Sequence, residues 1–538
     1  MKNRTDKRVY IYDTTLRDGS QGEGVNFSSM DKVLIAKRLD AFGVDYIEGG
    51  WPYSNQKDID FFERIRAEKL VHARIAAFGS TRRAKNAAGD DPNLLALVAS
   101  KAPVTTIFGK SWLLHVRDAL RVSPETNLEM VRDSVAFLKS HAREVIFDAE
   151  HFFDGYKDDP GYALAVLDAA RDAGASALVL CDTNGGSTPM EAFEITRAVC
   201  TRFPGAVVGI HPHNDAGCGA ANALMGVAAG ATHVQGTING CGERCGNADL
   251  TSILPGLVLK MQRACAVHLD QLTEVSKYVN ELANLPYNHR QPYTGMSAFA
   301  HKGGIHVSAV QRNARTYEHI EPGQVGNRRR VLISEQSGQS NVLYKAREFG
   351  IDLDSQPDKV AAVIEEVKKR DHAGYEYEAA DASFELLIKR TLGKFAPSFE
   401  VLGFRVIDEV RDGAIVSEAT VKVRVLGVEE HTAAEGDGPV NALDTALRKA
   451  LRPFFPQLEQ VELIDYKVRV LSAKGLKGTA SKVRVLVESA DGMNTWGTVG
   501  VSTNIIEASY EAVIDSIEYK LMKDARTKKT TARRSRKE

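Results

Sequence analysis

Cysteine is scarce in this sequence, with six residues among 538, all of them between Cys181 and Cys265. So few cysteines in so long a chain exclude the disulfide framework of a small secreted domain. An excess of one charge is also lacking, because 69 Lys and Arg residues nearly balance 70 Asp and Glu residues and leave a net charge of -1. We therefore expect no nucleic-acid partner and no charged membrane surface as a partner.

Long apolar runs are missing as well. No uninterrupted stretch reaches the ~20 residues that a membrane helix needs. The segment Met1–Tyr10 is polar and basic and lacks the apolar core of a signal peptide. These absences predict a cytoplasmic protein without a membrane partner. What is present is ordinary for a globular protein, with 43% apolar and 26% charged residues, so wholesale disorder is excluded.

The first half of the chain repeats one pattern. Short β-rich runs alternate with stretches whose apolar residues recur every three or four positions, as in an amphipathic helix. The eight β-rich runs are Val9–Tyr12, Val44–Ile47, Arg74–Phe78, Val104–Phe108, Glu144–Phe147, Ala177–Leu180, Val207–Ile210 and His233–Thr237. An open doubly wound sheet is the alternative, but eight strand–helix units in about 260 residues favour an α/β fold with a (β/α)₈ barrel. We assign this barrel to residues 1–285.

The rest of the chain divides into three predicted regions. Residues 286–382 are polar and mostly helical, and we expect a linker or lid region there. Residues 383–522 contain two successive βββα patterns, which predict one α+β domain with internal pseudo-symmetry. Residues 523–538 are rich in Lys and Arg, and we expect a disordered, solvated tail.

Polar residues follow nearly every predicted barrel strand, at the end where barrel active sites are built. After the seventh strand, His211 and His213 are two residues apart, so both imidazoles can point to the same side of an extended segment. Histidines in loops are common, and this pair alone leaves a metal site and an ordinary loop both open. Asp18, after the first strand, would add a carboxylate oxygen and leave coordination positions free for a substrate.

Three separated motifs carry a resemblance to a known family. They are Asp-Thr-Thr-Leu-Arg-Asp-Gly at 13–19, His-Pro-His-Asn-Asp at 211–215 and Asn-Gly-Cys-Gly-Glu-Arg-Cys-Gly-Asn at 239–247. The chain resembles, over nearly its whole length, the metal-dependent acyl-CoA condensing enzymes, which include the 2-isopropylmalate, homocitrate and citramalate synthases. The segments at 19–24 and 48–52 are most similar to one branch of the citramalate synthases.

The resemblance implies a divalent metal ion (Mn²⁺, Mg²⁺ or Zn²⁺) held by Asp18, His211 and His213, with Asn247 as a weaker oxygen ligand. Such an ion would chelate a 2-oxo acid and polarise its carbonyl. Arg17 would then stabilise the alkoxide that forms when the carbonyl is attacked. Thr183 matches the threonine that holds the substrate carboxylate in the family, although by itself it could equally be a turn residue.

The second half of the implied reaction is the removal of a proton from the methyl group of acetyl-CoA. By position, Glu150 and His306 correspond to the residues implicated in this family, and Tyr317 lies in the same middle segment as His306. In such enzymes the middle region of one chain lies over the barrel of its partner. The resemblance therefore implies a homodimer with composite active sites.

Two residues bear on substrate choice. The sequence around Glu150 departs from the commoner isopropylmalate and homocitrate pattern at two positions. Asp148 stands where those relatives have a small residue, and His151 stands where they have an acid, so both alter the floor of the pocket. Asp148 would crowd a branched acceptor, so we expect pyruvate as the 2-oxo acid and citramalate as the product. His115 is either a pocket residue or a buried structural histidine.

The C-terminal domain resembles the family's regulatory domain, which binds an end-product amino acid; isoleucine is the expected effector. A dimerisation module without an effector is the alternative. The alternatives for the whole protein are 2-isopropylmalate or homocitrate synthesis, a metal-dependent acyl-CoA lyase or aldolase, and a non-catalytic amino-acid sensor.

Overall fold

The computed structural model describes residues 8–141, 144–334, 337–471 and 481–534. The chain divides into two compact units: the first contains residues 1–299 and 319–329, and the second contains residues 300–318 and 330–538. Among the described residues, no helix is both long enough and apolar enough to cross a membrane.

The first unit is built on eight parallel strands that close into a barrel in sequence order, with β8 pairing with β1. This confirms the predicted α/β barrel. The strands are β1 Tyr10–Asp13, β2 Tyr46–Gly50, β3 Arg74–Ser80, β4 Val104–Lys110, β5 Glu144–Glu150, β6 Ala177–Asp182, β7 Val208–Pro212 and β8 His233–Gly236.

Helices follow the strands and pack their apolar faces around the barrel. They are α1 Ser29–Phe42, α2 Gln56–Ile65, α3 Pro92–Ala99, α4 Leu113–His115, α5 Pro124–His141, α6 Phe152–Asp158, α7 Pro160–Asp172, α8 Pro189–Arg202, α9 Gly219–Ala229, α10 Leu250–Pro255 and α11 Leu272–Leu282. Helix α1 shows how local sequence sets the boundaries. The Ser28 hydroxyl accepts from the backbone N–H of Asp31, the Asp31 carboxylate accepts from the N–H of Ser28, and the helix ends at Gly43 with φ 96°.

Two apolar layers stabilise the first unit. One lies between the barrel strands and the surrounding helices, and includes fully buried residues such as Ile11, Leu39, Phe61 and Phe147. The other fills the inside of the barrel with the side chains of Tyr12, Tyr46, Ala76, Val104, Ile146, Ala177, Val179 and Cys181. The inside of the barrel is therefore a packed core and not an open pore.

The second unit contains the two predicted βββα repeats, each with an antiparallel three-stranded sheet. Its elements are β9 Ala300–His301, α12 Gly304–Arg312, β10 Arg330–Val331, α13 Gln339–Glu348, α14 Pro357–Ala373, α15 Asp381–Thr391, β11 Glu400–Arg411, β12 Ala414–Val425, β13 Val428–Gly436, α16 Pro439–Leu451, β14 Glu462–Leu471, β15 Lys482–Ala490, β16 Thr495–Ser502 and α17 Ile505–Arg534. The first repeat contributes Val421 and Leu443, and the second Trp496 and Ile517, to a single apolar cluster.

The boundary predicted between residues 382 and 383 falls inside α15. Phe384, Leu387 and Ile388 of that helix share an apolar cluster with Val363 of α14 and Val499 of β16. Since α15 packs against both α14 and β16, the predicted helical region and the βββα repeats share a core within this unit.

The expectation of a disordered tail from residue 523 is wrong for residues 523–534, which continue α17. The reason is a buried carboxylate on α15. Glu385 is fully buried and lies 2.8 Å from Lys389, 3.0 Å from Lys523 and 3.0 Å from Arg526. Two of the basic residues that suggested a solvated tail therefore neutralise a charge in the core. Residues 535–538 lie outside the described residues.

Candidate active site at the carboxyl end of the barrel

Three side chains of types that bind metal ions meet at the carboxyl end of the barrel. Asp18 follows β1, and His211 and His213 lie at the end of β7. The Oδ2 atom of Asp18 is 3.2 Å from Nε2 of His211 and 3.8 Å from Nε2 of His213. One ligand atom from each residue lies within 4.8 Å of the other two, and all three residues are buried. This is the arrangement that the motifs predicted.

Asn247 is the fourth predicted ligand. An isolated β-bridge pairs its backbone with that of His213, and its side chain is buried. The amide nitrogen donates to the carbonyl of Cys241 at 3.2 Å, but the amide oxygen has no hydrogen-bond partner among the described residues. A buried amide oxygen without a partner is costly, and a cation beside it would remove that cost. The four residues therefore fit a divalent ion.

The charges at this cluster depend on one another. Burial alone would raise the pKa of Asp18, but Arg17 and the two imidazoles outweigh it and hold that pKa well below its usual range. Burial, with His211 next to it, lowers the pKa of His213 to about 4. A carboxylate that stays ionised and an imidazole that stays neutral are the forms in which both residues can bind a metal.

Arg17 is held in place from two sides. Its Nε donates to Oε1 of Glu48 at 2.5 Å, and its guanidinium carbon lies 3.6 Å from the centre of the Phe78 ring. Glu48 is itself fixed, because the Tyr12 hydroxyl donates to its other oxygen at 2.7 Å. Arg17 Nη1 also lies 3.3 Å from Asp18. These contacts place the guanidinium beside the Asp18 carboxylate.

Strand β5 is three residues longer than the sequence predicted, and this changes the setting of Asp148 and Glu150. Both residues belong to the strand, where residues two apart project to the same face. Glu150 forms an ion pair with Lys110, its neighbour at the end of β4. Asp148 is buried, and its Oδ1 accepts from Nε2 of Gln235 at 3.1 Å.

Thr183 follows β6 and faces the turn after β5. Its hydroxyl oxygen accepts from the backbone N–H of His151 at 2.8 Å, so its own hydroxyl hydrogen stays available to a substrate. His151 adopts a left-handed conformation with φ 55°, which points its N–H towards Thr183. The carbonyl of Thr183 accepts from Arg244 at 2.8 Å.

His115 lies beside His151 rather than at the metal-ligating cluster. The centroids of the two rings are 4.3 Å apart, and Trp112 stacks on His115 at 5.2 Å. Burial, followed by the neighbouring His151 and Lys110 charges, lowers the pKa of His115. The geometry keeps both predictions for His115 open, since it is part of an aromatic cluster next to Glu150.

His306 and Tyr317 belong to the second unit. Their rings stack with centroids 4.3 Å apart, and both residues are exposed. His306 lies on α12, and Tyr317 directly follows the short helical turn after α12. The two residues that the motifs grouped are therefore brought together, on the surface of their own unit.

Three family models match the chain. The "HMGL-like" model matches residues 8–279, the "Homocitrate synthase post-HMGL domain-like" model residues 293–374, and the "LeuA allosteric (dimerisation) domain" model residues 378–521. An (R)-citramalate synthase of Geobacter sulfurreducens is 56% identical over 96% of this chain and 98% of its own length. One of Aquifex aeolicus is 54% identical over 96% of this chain and 98% of its own length.

The chain belongs to the (R)-citramalate synthase branch of the HMGL-like family. A probable 2-isopropylmalate synthase of Methanopyrus kandleri is more distant, with 32% identity over 95% of this chain and 98% of its own length. The expected resemblance to the condensing enzymes and to their citramalate synthase branch is thus confirmed.

Within this family site, sequence reasoning missed residues that touch the predicted ones. They are Glu48 on Arg17, Gln235 on His211 and Lys110 on Glu150. A weak signal existed for two of them, since Glu48 and Lys110 each lie at the end of a strand or directly after one. Gln235 offered none, because a glutamine inside a β-rich run has no characteristic spacing.

Proposed function

We propose that the protein is an (R)-citramalate synthase, which joins the acetyl group of acetyl-CoA to pyruvate and releases citramalate and CoA. The observation that carries this proposal is the placement of Asp18, His211 and His213 beside Arg17 in a chain more than half identical to two synthases of that name. A divalent ion, Mn²⁺, Mg²⁺ or Zn²⁺, would act there as a Lewis acid on the 2-oxo acid carbonyl.

Three of the predicted site residues have roles that their contacts support. Thr183 donates its hydroxyl hydrogen to the pyruvate carboxylate, because its oxygen is already occupied by the His151 N–H. Glu150, oriented by Lys110, accepts a proton from the acetyl methyl group. Arg17 donates to the oxygen that becomes negative as the new carbon–carbon bond forms. Water then cleaves the thioester and releases CoA.

We also propose that His306 and Tyr317 act on the barrel of a second copy of the chain. Both side chains are exposed, and so is the neighbouring Ile305, at 81%. A homodimer also agrees with the description of the family that residues 378–521 match. Isoleucine is the proposed effector of that region, since it would be the end product of a citramalate pathway.

The proposed reaction is tested by measuring CoA release from acetyl-CoA with a series of 2-oxo acids. We expect pyruvate to have the highest kcat/KM, with 2-oxoisovalerate at least about 10-fold lower, because its two extra methyl groups do not fit a tight pocket. A higher kcat/KM for 2-oxoisovalerate would instead make the protein a 2-isopropylmalate synthase. Preference for 2-oxoglutarate would indicate homocitrate synthesis, and cleavage of a hydroxyacyl-CoA without condensation would indicate a lyase.

The effector is tested with the same assay at subsaturating acetyl-CoA. Millimolar isoleucine should reduce the rate, because an allosteric coupling of about 1–3 kcal/mol changes an affinity by 5- to 150-fold. Leucine and valine are the matched controls. An enzyme that responds to none of the three amino acids contradicts feedback regulation.

A further inference from the structure

Gln235 on β8 connects a metal-ligating histidine to a buried carboxylate inside the barrel. It is fully buried, and β8 pairs with β7, which carries His211. The Oε1 atom of Gln235 lies 2.6 Å from Nδ1 of His211, and its Nε2 lies 3.1 Å from Oδ1 of Asp148. The amide thus hydrogen-bonds to both groups, whose charges also act on each other directly.

The polarity of this bridge follows from what each atom can do. An amide nitrogen only donates and a carboxylate oxygen accepts, so the contact with Asp148 directs Nε2 of Gln235 towards β5. The amide oxygen then faces His211 and can only accept. Nδ1 of His211 must therefore carry a hydrogen, and Nε2 is the nitrogen that faces Asp18 at 3.2 Å.

Asp148 is needed to fix the orientation of the Gln235 amide, because a flipped amide could form a hydrogen bond with His233 instead. Nε2 of Gln235 lies 3.5 Å from Nε2 of His233. Burial lowers the pKa of His233 to about 3, so this imidazole is neutral and can donate or accept. Without Asp148, a flipped amide could accept from His233 and donate to Nδ1 of His211, which would select the tautomer with hydrogen on Nε2.

We propose that Asp148 and Gln235 are positioning residues, which hold His211 in the tautomer that presents Nε2 to a divalent metal ion. This inference rests on the metal site of the proposed function. In this role Asp148 orients the proposed metal ligand His211 through Gln235, whereas the sequence suggested that Asp148 contacts the acceptor substrate. Partners of this kind typically change metal affinity by about 10- to 100-fold.

The test measures Mn²⁺ binding to metal-free protein by the electron paramagnetic resonance of free Mn²⁺, without any substrate. Asp148→Ala and Gln235→Ala should each weaken binding about 10- to 100-fold. Asp148→Asn keeps an acceptor oxygen and should lose less than Asp148→Ala. Tyr46→Phe is the matched control, because it removes a buried barrel hydroxyl that bonds to Glu144, and it should bind Mn²⁺ like the unsubstituted protein.

The double variant tests whether Asp148 acts through Gln235. If it does, Asp148→Ala in the Gln235→Ala background causes no further loss of Mn²⁺ affinity. Additive losses, or single variants that bind Mn²⁺ normally, overturn the inference. If circular dichroism shows that Gln235→Ala does not fold, the test is the comparison of the two Asp148 variants. Asp148→Ala should then bind Mn²⁺ more weakly than Asp148→Asn.

Two further outcomes distinguish a failure of this inference from a failure of the proposed metal site. If the unsubstituted protein does not bind Mn²⁺, Mg²⁺ or Zn²⁺, the metal site itself is wrong. If Asp148→Ala leaves Mn²⁺ affinity unchanged but raises kcat/KM for 2-oxoisovalerate relative to pyruvate, Asp148 contacts the acceptor and the positioning role is overturned.

Discussion

Both units of this protein bury charged residues, but they compensate these charges differently. In the second unit, the buried carboxylate of Glu385 lies within 3.0 Å of three basic side chains, and Asp515 accepts from Ser383 and Arg390. At the barrel end, Asp18 is shared among Arg17 and two imidazoles, and Asn247 Oδ1 has no partner within the described part of the chain.

The difference separates buried charges that stabilise a fold from those that serve a reaction. A charge with a full set of protein partners offers nothing to a ligand, and removing one partner leaves the other uncompensated. An incomplete set, such as the one at Asp18 and Asn247, is favourable only once a ligand completes it. We therefore expect substitutions at the two places to affect different properties.

The largest effect should come from removing the metal ion. Chelation followed by dialysis should abolish CoA release, and added Mn²⁺, Mg²⁺ or Zn²⁺ should restore it, because oxygen and nitrogen ligands accept all three. Asp18→Ala should remain inactive at any metal concentration that restores the unsubstituted protein. Full turnover by a sample that elemental analysis shows to be metal-free would contradict a metal-binding role for Asp18 and Asn247.

The next largest effect should come from Arg17. Arg17→Ala should reduce kcat about 10²- to 10³-fold, as the loss of one donor to a developing negative charge does. Glu48→Gln keeps an acceptor next to Arg17 and should reduce kcat only about 10-fold, since a hydrogen bond to a charged group contributes about 1.5–3 kcal/mol. Equal losses in the two variants would mean that Glu48 does more than orient Arg17.

The two units should cooperate only across a dimer. Glu150→Gln and His306→Ala chains should each be inactive, and mixing them should recover about a quarter of the full activity, because half of the dimers have one intact site. The mixture is compared with each variant chain alone, after dissociation and reassociation. Heterodimers that are isolated and still inactive would show that both residues act within one chain.

The smallest effect on activity should come from the fully compensated charge. Glu385→Ala should lower the free energy of unfolding by about 2–3 kcal/mol, near the low end for a broken buried pair because Lys523 and Arg526 are partly exposed. Urea denaturation monitored by circular dichroism measures this loss, and Mn²⁺ affinity should not change. Glu400→Ala is the control, because its partner Arg424 is exposed, and the unfolding curve should stay where it is.

Much of the active site followed from short motifs. The spacing of His211 and His213 in an extended segment and the position of Asp18 after β1 predicted a cluster that the structure confirms as a group of ligand atoms. The pairings that orient these residues did not follow. Gln235 is 24 positions from His211 and 87 from Asp148, and no local pattern relates residues so far apart.

The sequence by itself determined the eight-stranded barrel, the two βββα repeats and the metal-ligating motifs. Periodicity, capping residues and the two-residue repeat of a strand act within a few positions of the chain, so they can be read from it directly. Only the tertiary structure decided that Gln235 joins Asp148 to His211, that Glu48 bonds to Arg17 and that Glu385 pairs with basic residues of α17. These contacts arise when barrel closure and helix packing bring distant residues together, and the physical reason is that burial makes each charge depend on whichever partner the fold places beside it.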